Sequence, residues 1–378
     1  MSSISKSALQ RYYKDIIIRN RHRINLLRLS NLFIYDDSAF PLFHKILKFR
    51  RFETLILDNI ESYCLENLLY QLTSSPFRSS LIITSVIDNV INKNAIYRQI
   101  FRLPALKYCK LSLKGSVDPD PLPVATNEYS PVEHLIINNT VRCEQLNSLI
   151  SYVPQLRRLS FYSLHESYRK QTKIYPSTLN HLTHVSLKLF SITFDQSEQL
   201  IINIFPSVQV LRITVGIVYI DSNRWKQLIL CHLPNLRIFD IWLEFFIDHN
   251  NDQLDIEAQI NQFTSPFWIE RQWIFEYRFY QTRYGNYAIF YSTNPYRGKT
   301  YTLQKYQNKT TCLSGYETNL KSVNHVEIQS EKELINCICY FPNITKLSFK
   351  DNFTTSRSSI ATILARIIPL KQLTKLDI

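Results

Sequence analysis

The sequence contains very little glycine, with five such residues in 378. Glycine supplies the positive φ angles of tight hairpin turns and the close backbone approach of phosphate-binding loops. The low glycine content therefore disfavours folds that depend on glycine-rich nucleotide loops or on many tight hairpins. Disorder is disfavoured as well, because 45% of the residues are hydrophobic and can offset the entropy of ordering.

Long apolar runs are also missing. The most apolar stretch, residues 238–247, contains Asp240 and Glu244, so no segment resembles the roughly twenty apolar residues of a membrane span. Residues 1–15 lack the apolar core and cleavage site of a secretory signal. The seven cysteines are scattered and odd in number, which indicates reduced thiols, so we expect an intracellular protein of the cytoplasm or nucleus.

One short pattern, apolar-x-x-apolar-x-apolar, returns along most of the chain. Its first positions up to residue 236 lie 24 to 28 residues apart, a period near 26. The last two apolar positions are two residues apart, so they face one side of a short strand while the x residues face the other. The pattern occurs at Ile24/Leu27/Leu29, Phe52/Leu55/Leu57, Leu106/Cys109/Leu111, Val132/Leu135/Ile137, Leu156/Leu159/Phe161, Leu182/Val185/Leu187, Val208/Leu211/Ile213, Leu236/Phe239/Ile241, Val323/Val326/Ile328, Ile344/Leu347/Phe349 and Leu373/Leu376/Ile378, with a degenerate copy at Arg78/Leu81/Ile83.

Between these patterns the apolar residues follow helical spacing. Such i, i+3, i+4 stripes predict one helix per repeat. A proline follows several of these helices two residues before the next pattern, where it ends the helix without disturbing the strand. The stripes are Leu65/Leu68/Leu69/Leu72, Leu146/Leu149/Ile150, Trp225/Leu228/Ile229 and Ile360/Ile363/Leu364/Ile367, and the prolines are Pro104, Pro154, Pro206, Pro234 and Pro342.

A strand and a helix in about 26 residues cannot bury their apolar faces alone, but stacked repeats can. The sequence therefore predicts an α/β fold, a curved solenoid with parallel strands on the concave side and helices on the convex side. These repeats resemble the leucine-rich-repeat family, most closely the longer, helix-containing repeats of F-box/leucine-rich-repeat proteins. The resemblance covers residues 24–245 and 322–378.

The resemblance also implies a function. In F-box/leucine-rich-repeat proteins the repeats hold the substrate of a ubiquitin ligase, so a substrate-recognition role follows by analogy. The residues before the first repeat contain no recognisable F-box, and association with a ubiquitin-ligase core is expected only if one exists.

The repeat pattern is interrupted once. Residues 246–321 lack it and are rich in aromatics, with Trp273, Phe275, Tyr277 and Phe279 alternating in strand fashion. A second alternating run, Tyr287/Ile289/Tyr291, follows Gly285-Asn286, which predicts an antiparallel β-hairpin whose tight turn uses positive φ at these two residues. The predicted organisation is a helical cap at 1–23 with a helix from Ser7 to Arg19, a solenoid at 24–245, a hairpin insertion at 246–321, and a solenoid continuation at 322–378 without a C-terminal cap.

Three short motifs imitate chemical sites. Gly298-Lys299-Thr300 resembles the end of a phosphate loop, but the first glycine of that motif is absent. Cys337-x-Cys339 has no second pair of ligands at metal-binding spacing, and His325-x-Glu327 is not followed by the cysteine pair of a zinc deaminase. We therefore predict no catalytic, cofactor or metal site, and no enzymatic activity.

The x positions of the strands are the more informative set, because solenoids bind partners on their concave strand face. They carry nine Lys or Arg residues against five acidic ones, within a chain of net charge +13. The alternative is a solvated face that merely tolerates polar residues. The candidate binding residues are Arg28, Lys107, Tyr108, Lys110, His134, Arg157, Arg158, His184, Arg212, Arg237, His325, Lys346 and Lys375.

These observations predict a non-enzymatic protein–protein interaction scaffold whose partner is acidic or phosphorylated. The alternative function is a basic module that binds RNA or phosphate, because positive charge and aromatic residues also serve backbone attraction and base stacking. Most of the aromatics, however, fall at predicted core positions, and the charge is dispersed, which favours the protein partner.

Overall fold

The structure is a computed structural model of mixed α/β class, in which a large, mostly parallel sheet predominates. It describes residues 11, 13–30, 53–73, 79–84, 90, 92–115, 122–166, 179–216, 219–247, 250–282, 285–293, 299–303, 307–310, 320–329, 331–335, 337, 339–349 and 357–377. Several predicted positions lie outside these residues, among them Ser7, Phe52, Arg78, Gly298 and Ile378. Within the predicted N-terminal cap, Tyr13–Ile17 forms a short π-helix.

The chain divides into two compact units. The first contains Met1–Ile213 and Leu228–Arg237, and the second contains Thr214–Gln227 and Ile238–Ile378.

The first unit is built on short strands that follow one another in sheet order. Strands β1 to β7 pair in parallel, each with the next along the chain, and β8 follows β7 in the sheet. The strands are β1 Leu26–Ser30, β2 Thr54–Asp58, β3 Ser80–Ile83, β4 Tyr108–Leu111, β5 His134–Arg142, β6 Arg158–His165, β7 His184–Phe190 and β8 Val210–Val215.

The register of these strands places equivalent repeat positions side by side. Leu81 pairs with Cys109, Cys109 with Leu135, and Leu135 with Leu159, and all four side chains are buried. Burying one such side chain contributes about 1.5–3 kcal/mol. The predicted strands are confirmed here, and the two strand apolar positions of each repeat from Leu55 to Ile213 are buried. Cys109 is a core residue, as predicted, and burial raises the pKa of its thiol.

The helices lie between the strands, as the apolar stripes predict. The leucine stripe of the first helix is fully inward, with Leu65, Leu68, Leu69 and Leu72 buried. Polar residues cap the N-terminus of some helices. Before the helix Phe194–Ile204, Thr193 and Gln196 form a reciprocal capping box, in which each side chain accepts a hydrogen bond from the other residue's backbone amide. The helices are α1 Ser62–Thr73, α2 Lys93–Phe101, α3 Cys143–Ser151, α4 Phe194–Ile204 and α5 Ser222–His232.

The second unit begins with an antiparallel sheet. Strand β9 (Ile238–Ile247) pairs with β11 (Gly285–Ser292), which pairs with β10 (Phe275–Thr282), which pairs with β13 (Gln307–Thr310). The predicted hairpin is therefore present as β10 and β11. Helices α6 (Asn250–Asn261) and α7 (Pro266–Glu270) precede it, and residue patterning did not predict them.

An aromatic cluster forms the core beside this hairpin. The rings of Phe263 and Phe290 lie 4.9 Å apart, and those of Phe275 and Phe290 stack at 5.2 Å. Trp268 lies 4.9 Å from Phe263 and is fully buried, as is Phe239. Aromatic pairs at these distances add about 0.5–1.5 kcal/mol each beyond burial, so packing accounts for much of the aromatic content.

The hairpin turn differs from the prediction at one residue. Gly285 has a φ of +134°, as predicted, and a Cβ there would collide with the ring of Phe246. Asn286 does not share in the turn: it pairs with Gln281 inside the ladder, and Thr282 pairs with Gly285. The prediction for Asn286 is wrong because this residue belongs to the paired part of β11 and does not adopt a positive φ.

The rest of the second unit is a parallel sheet of β12 (Thr300–Leu303), β14 (His325–Ile328), β15 (Lys346–Phe349) and β16 (Lys375–Asp377). Helices α8 (Glu331–Ile335) and α9 (Arg357–Ile367) accompany these strands, and Leu334, Leu364 and Ile367 belong to one buried cluster with Val326 and Leu347. Ile335 of α8 is 47% exposed and lies outside this cluster. Strand β12 was not predicted, since its repeat carries Gly298 at the first apolar position. Leu376, predicted as apolar core, is 54% exposed.

Candidate functional site

The parallel register of the first unit gathers four of the predicted binding residues into one row. Tyr108 pairs with His134, His134 with Arg158, and Arg158 with His184. All four stand on the x side of their strands, opposite the buried leucine positions, and each is at least partly exposed. Neighbouring strands are about 4.8 Å apart, so the row presents its side chains as a continuous line.

A second row lies two residues further along the same strands. Lys110 pairs with Ile136, Ile136 with Ser160, and Ser160 with Ser186. The amide of Val210 donates to the carbonyl of Thr183, as the amide of His184 donates to Arg157, and this repeated bond aligns Arg212 with Ser186. Ser160 and Ser186 were not predicted as site residues, although simple alternation from Arg158 and His184 places them there.

The two rows line a groove of about 280 Å³. Its polar lining combines two guanidinium groups, two imidazoles, a phenol and two serine hydroxyls, and none of the described lining residues carries a carboxylate. The lining residues are Tyr108, His134, Leu135, Ile136, Arg158, Leu159, Ser160, His184, Val185, Ser186, Val210 and Arg212. Such a set donates hydrogen bonds and positive charge, which suits an anionic ligand.

The two groove histidines are held in the neutral form. Burial lowers the pKa of His134, and the positive charge of Arg158 lowers it further. Burial also lowers the pKa of His184, with added contributions from Arg158 and Arg212. The Nδ1 atom of His184 lies 2.9 Å from the Thr183 hydroxyl, which fixes the orientation of the ring.

Three predicted cations of the first unit are paired with carboxylates. Lys107 Nζ lies 2.8 Å from one Glu133 oxygen, and Arg157 Nε lies 3.4 Å from the other. The hydrogen bond from Lys107 is the main reason that the pKa of Glu133 is lowered. Arg28 pairs in the same way with Asp58. These cations therefore contribute less to the groove than their number suggests.

Arg158 is different, because it is exposed and forms no ion pair within the part of the chain that the structure describes. Lys110 lies in the second row at the β4 end, outside the groove lining. Arg237 precedes β9, where its amide donates to the carbonyl of Gln209. The structure thus brings together Tyr108, His134, Arg158, His184 and Arg212.

An aromatic ledge continues the same strand face beyond the second row. Tyr162 and Lys188 follow Ser160 and Ser186 by two residues, and Lys188 Nζ lies 4.9 Å from the Tyr162 ring and 5.2 Å from the Phe190 ring. Phe190 stacks on His165 with ring centroids 4.9 Å apart. Tyr162 is 59% exposed and Phe190 36%, so this ledge of Tyr162, Lys188 and Phe190 presents apolar surface to solvent.

The remaining predicted residues lie in the second unit, on strands β14 to β16. His325 Nε2 lies 2.8 Å from the Ser348 hydroxyl. Lys346 and Lys375 both pair with Asp377, at 3.0 and 3.4 Å. The pKa of Asp377 is lowered, chiefly by the hydrogen bond from Lys346. On this strand face the charges of Lys346 and Lys375 are therefore partly neutralised by Asp377.

The motifs that imitate chemical sites have ordinary surroundings. Cys337 is buried, and its thiol donates to the Cys339 carbonyl at 3.8 Å. His325 and Glu327 both lie on the partly exposed side of β14. Among the described residues, no group of three or more potential metal ligands occurs, and no helix is long and apolar enough to cross a membrane.

Comparison with protein-family models finds no model that matches this chain, and no curated protein matches it.

Proposed function

We propose that the chain is a non-enzymatic protein–protein interaction scaffold, built as a leucine-rich-repeat-like solenoid, whose binding surface is the strand face of the first unit. The observation that carries this proposal is the groove that Arg158, Arg212 and two neutral histidines line together, with no carboxylate among the described lining residues. An acidic segment of a partner would complete the charge of this surface.

The solenoid architecture is supported by the register of the strands. Equivalent positions of successive repeats pair directly, as in Leu55 with Leu81 and Leu81 with Cys109, and helices with buried apolar stripes lie between the strands. A repeated strand and helix that stack on their neighbours form a solenoid, and solenoids use the exposed side of the strands for binding.

The resemblance to F-box/leucine-rich-repeat proteins gives this scaffold a biological role by analogy. The groove would hold the substrate of a ubiquitin ligase, and the target would be recognised by an acidic or phosphorylated segment. A partner carrying the ligase core is part of this proposal only where an F-box accompanies the repeats.

The test is affinity purification with the full chain from a lysate treated with nuclease, at about 50 and about 200 mM salt. The wild-type chain is compared with the double variant Arg158→Glu/Arg212→Glu and with Lys371→Glu, which changes an exposed lysine of the second unit. We expect specific proteins to be retained by the wild type and by Lys371→Glu, and lost from the double variant. Retention by all three chains would overturn the proposed surface.

The same experiment examines the RNA-binding alternative. A basic RNA module would release its bound material on nuclease treatment, and its RNA would dissociate steeply between the two salt concentrations. That result would replace the scaffold proposal with the nucleic-acid function.

A further inference from the structure

We propose that strands β6 and β7 of the first unit bind an extended acidic segment of a partner protein, and that they recognise two acidic side chains about four residues apart. The two contacts are Arg158 at one end of the strands and Lys188 at the other. The inference rests on the proposed function, because it specifies the segment that the strand face holds.

The strands around these two cations carry no acidic residue. Strands β5 to β8 read HLIINNTVR, RLSFYSLH, HVSLKLF and VLRITV, without Asp or Glu. The first acidic residue after β6 is Glu166, whose carboxylate accepts a hydrogen bond from Gln196 Nε2 at 3.0 Å. Glu133, just before β5, is paired with Lys107. This part of the sheet therefore attracts an anionic segment without opposing it by like charge.

Arg158 and Lys188 both remain able to pair with a ligand. Arg158 is exposed, and among the described residues no carboxylate pairs with either side chain. Lys188 Nζ lies over the two rings of the ledge, and an ammonium held in this way keeps N–H donors for a carboxylate. Arg142 and Arg212 lie on the same group of strands but have interactions of their own, so the recognising pair is Arg158 and Lys188.

The strand register fixes the spacing between the two cations. Arg158 pairs with His184 across β6 and β7, and Lys188 follows His184 by four residues on β7. Four residues of extended strand rise about 13 Å. An extended peptide lying along the strands has the same rise and alternates its side chains, so its residues i and i+4 lie on one side about 13 Å apart. An acidic pair with this spacing reaches both cations.

Small hydroxyl side chains lie between the two cations. Ser160 pairs with Ser186 midway along the strands, and both serines are partly exposed and line the groove of about 280 Å³. Their size leaves room for a bound backbone close to the sheet, and their hydroxyls can donate to and accept from its peptide groups. The residue of the ligand midway between its two acidic residues faces these serines.

The exposed rings add an apolar contact at the Lys188 end. Beyond Phe161 the register shifts, and β6 has one residue more than β7 there. Lys188 therefore lies opposite both Tyr162 and Ser163, and Tyr162 is 59% exposed. Phe190 follows Lys188 by two residues on the same face of β7. An apolar residue about two positions beyond the acidic residue at Lys188 would rest on these rings.

A nucleic acid fits this arrangement less well than an acidic peptide does. A polyanion needs a continuous track of available cations, but Lys107 and Arg157 are paired with Glu133, and Arg28 is paired with Asp58. Two separate cations match two side-chain carboxylates instead.

The experiment measures fluorescence anisotropy of short labelled peptides titrated with the full chain at low salt. Each peptide has two glutamates in a serine and glycine background, and the series separates them by about two, three, four or five positions. Matched peptides replace one glutamate or both with glutamine. Two further peptides of spacing four carry leucine about two residues before the first glutamate or about two residues after the second.

The protein variants are Arg158→Gln, Lys188→Gln and Tyr162→Ala, with Lys371→Gln as the control at an exposed lysine of the second unit. Two additional probes are a phosphopeptide, with phosphoserine in place of one glutamate, and a short single-stranded RNA. Urea midpoints of all variants check that the fold is intact.

We expect the spacing of four to bind about tenfold more tightly than three or five, whose acidic side chains point to opposite sides of an extended chain. Arg158→Gln and Lys188→Gln should each weaken binding about three- to tenfold and abolish the contribution of a different glutamate. Leucine should add about threefold at one end only, a gain that Tyr162→Ala removes. Phosphoserine facing Arg158 should bind about threefold more tightly than glutamate, because its charge is near −2. Lys371→Gln should change nothing.

The opposite results overturn the inference in distinguishable ways. Equal affinity at every spacing, or no binding of any acidic peptide, would remove the paired recognition while leaving the scaffold proposal to its own purification test. Binding of the phosphopeptides alone would show that carboxylates are not the recognised groups. Equal losses for the glutamate and glutamine peptides in the variants would show that the two cations do not contact the acidic residues. RNA binding that is tighter than all peptide binding and equally sensitive to Arg158→Gln and Lys188→Gln would overturn both proposals.

Discussion

The strand faces of the two units follow the same repeat pattern but handle charge in opposite ways. In the first unit, Arg158 and Arg212 line a groove in which no carboxylate occurs among the lining residues that the structure describes. In the second, Lys346 and Lys375 share Asp377, and His325 is hydrogen-bonded to Ser348. The x positions of the first unit carry more basic than acidic residues, whereas on β14 to β16 Lys346 and Lys375 are matched in number by Glu327 and Asp377.

The number of cations on a repeat face does not determine what that face binds. Exposed ion pairs contribute little to stability, typically about 0–1 kcal/mol, but each one cancels a charge that a ligand would otherwise use. The position of a few carboxylates therefore decides which face is receptive. Glu133 and Asp377 matter to this comparison as much as the arginines do.

The largest expected effect concerns what the two units have in common, their apolar cores. Leu159 and Leu347 occupy the same repeat position and are both buried. We expect Leu159→Ala and Leu347→Ala each to lower the free energy of unfolding by about 2–5 kcal/mol, because each leaves a cavity. Urea unfolding followed by circular dichroism measures this. Arg158→Ala, at an exposed position, should stay within about 0.5 kcal/mol, and comparably small losses for the leucines would contradict the strand register.

Periodicity predicted the strands and cores well because burial on one side of a strand leaves a two-residue signal. It missed β12, whose repeat starts with Gly298 in place of an apolar residue. It also missed α6, where the apolar moment is weak and the sequence is largely polar. Apolar periodicity does not predict a strand or helix whose missing apolar residue is compensated by tertiary packing.

The candidate site was predicted in part for a related reason. Strand alternation predicts on which side of the sheet a side chain lies, so Arg158, His184 and Arg212 were predicted on the same side. Ion pairing depends on which neighbour a long side chain reaches, and the sequence does not carry that information directly. The contact between Lys107 and Glu133 spans 26 residues, one repeat period, so register could have suggested it. The sequence did not predict the ledge of Tyr162, Lys188 and Phe190, because the strand register shifts after Phe161.

A second prediction makes the first face resemble the second. Ser186→Asp places a carboxylate in the second row beside Arg212, where it would neutralise the groove as Asp377 neutralises its own face. We expect phosphopeptide affinity to fall tenfold or more, since a like charge then opposes the phosphate. Anisotropy measures this, with Ser186→Asn as the uncharged control of similar size. Equal losses in both variants would indicate a steric effect and contradict the electrostatic account.

The third prediction uses the pH dependence of the groove. The folded chain holds His134 and His184 at lowered pKa, so the unfolded chain binds protons more readily and stability declines as pH falls below about 6.5. A bound dianion favours the protonated imidazoles and reverses this trend. We therefore expect phosphopeptide affinity to rise about three- to fivefold between about pH 7.5 and pH 6.5.

The groups that act on these imidazoles are both cationic and anionic. They are Arg157, Arg158, Arg212 and Glu133, and His134 also acts on His184. Tyr108 is in ring contact with His134. The control is the double variant His134→Asn/His184→Asn, whose affinity should follow only the second ionisation of the phosphate, near pH 6. A wild-type profile identical to that of the double variant would show that the histidines do not take part.

The smallest expected effect comes from opening the second face. Asp377→Asn removes the carboxylate that Lys346 and Lys375 share. Measured in the Arg158→Gln/Arg212→Gln background, which silences the first face, phosphopeptide binding at low salt should increase about twofold, because two lysine charges become available without a built groove. Since the pKa of Asp377 is lowered, its carboxylate stays charged and paired at neutral pH, so the two chains are compared at neutral pH. An increase as large as the binding of the intact first face would show that charge alone, without the arrangement around Arg158 and Arg212, is sufficient for recognition.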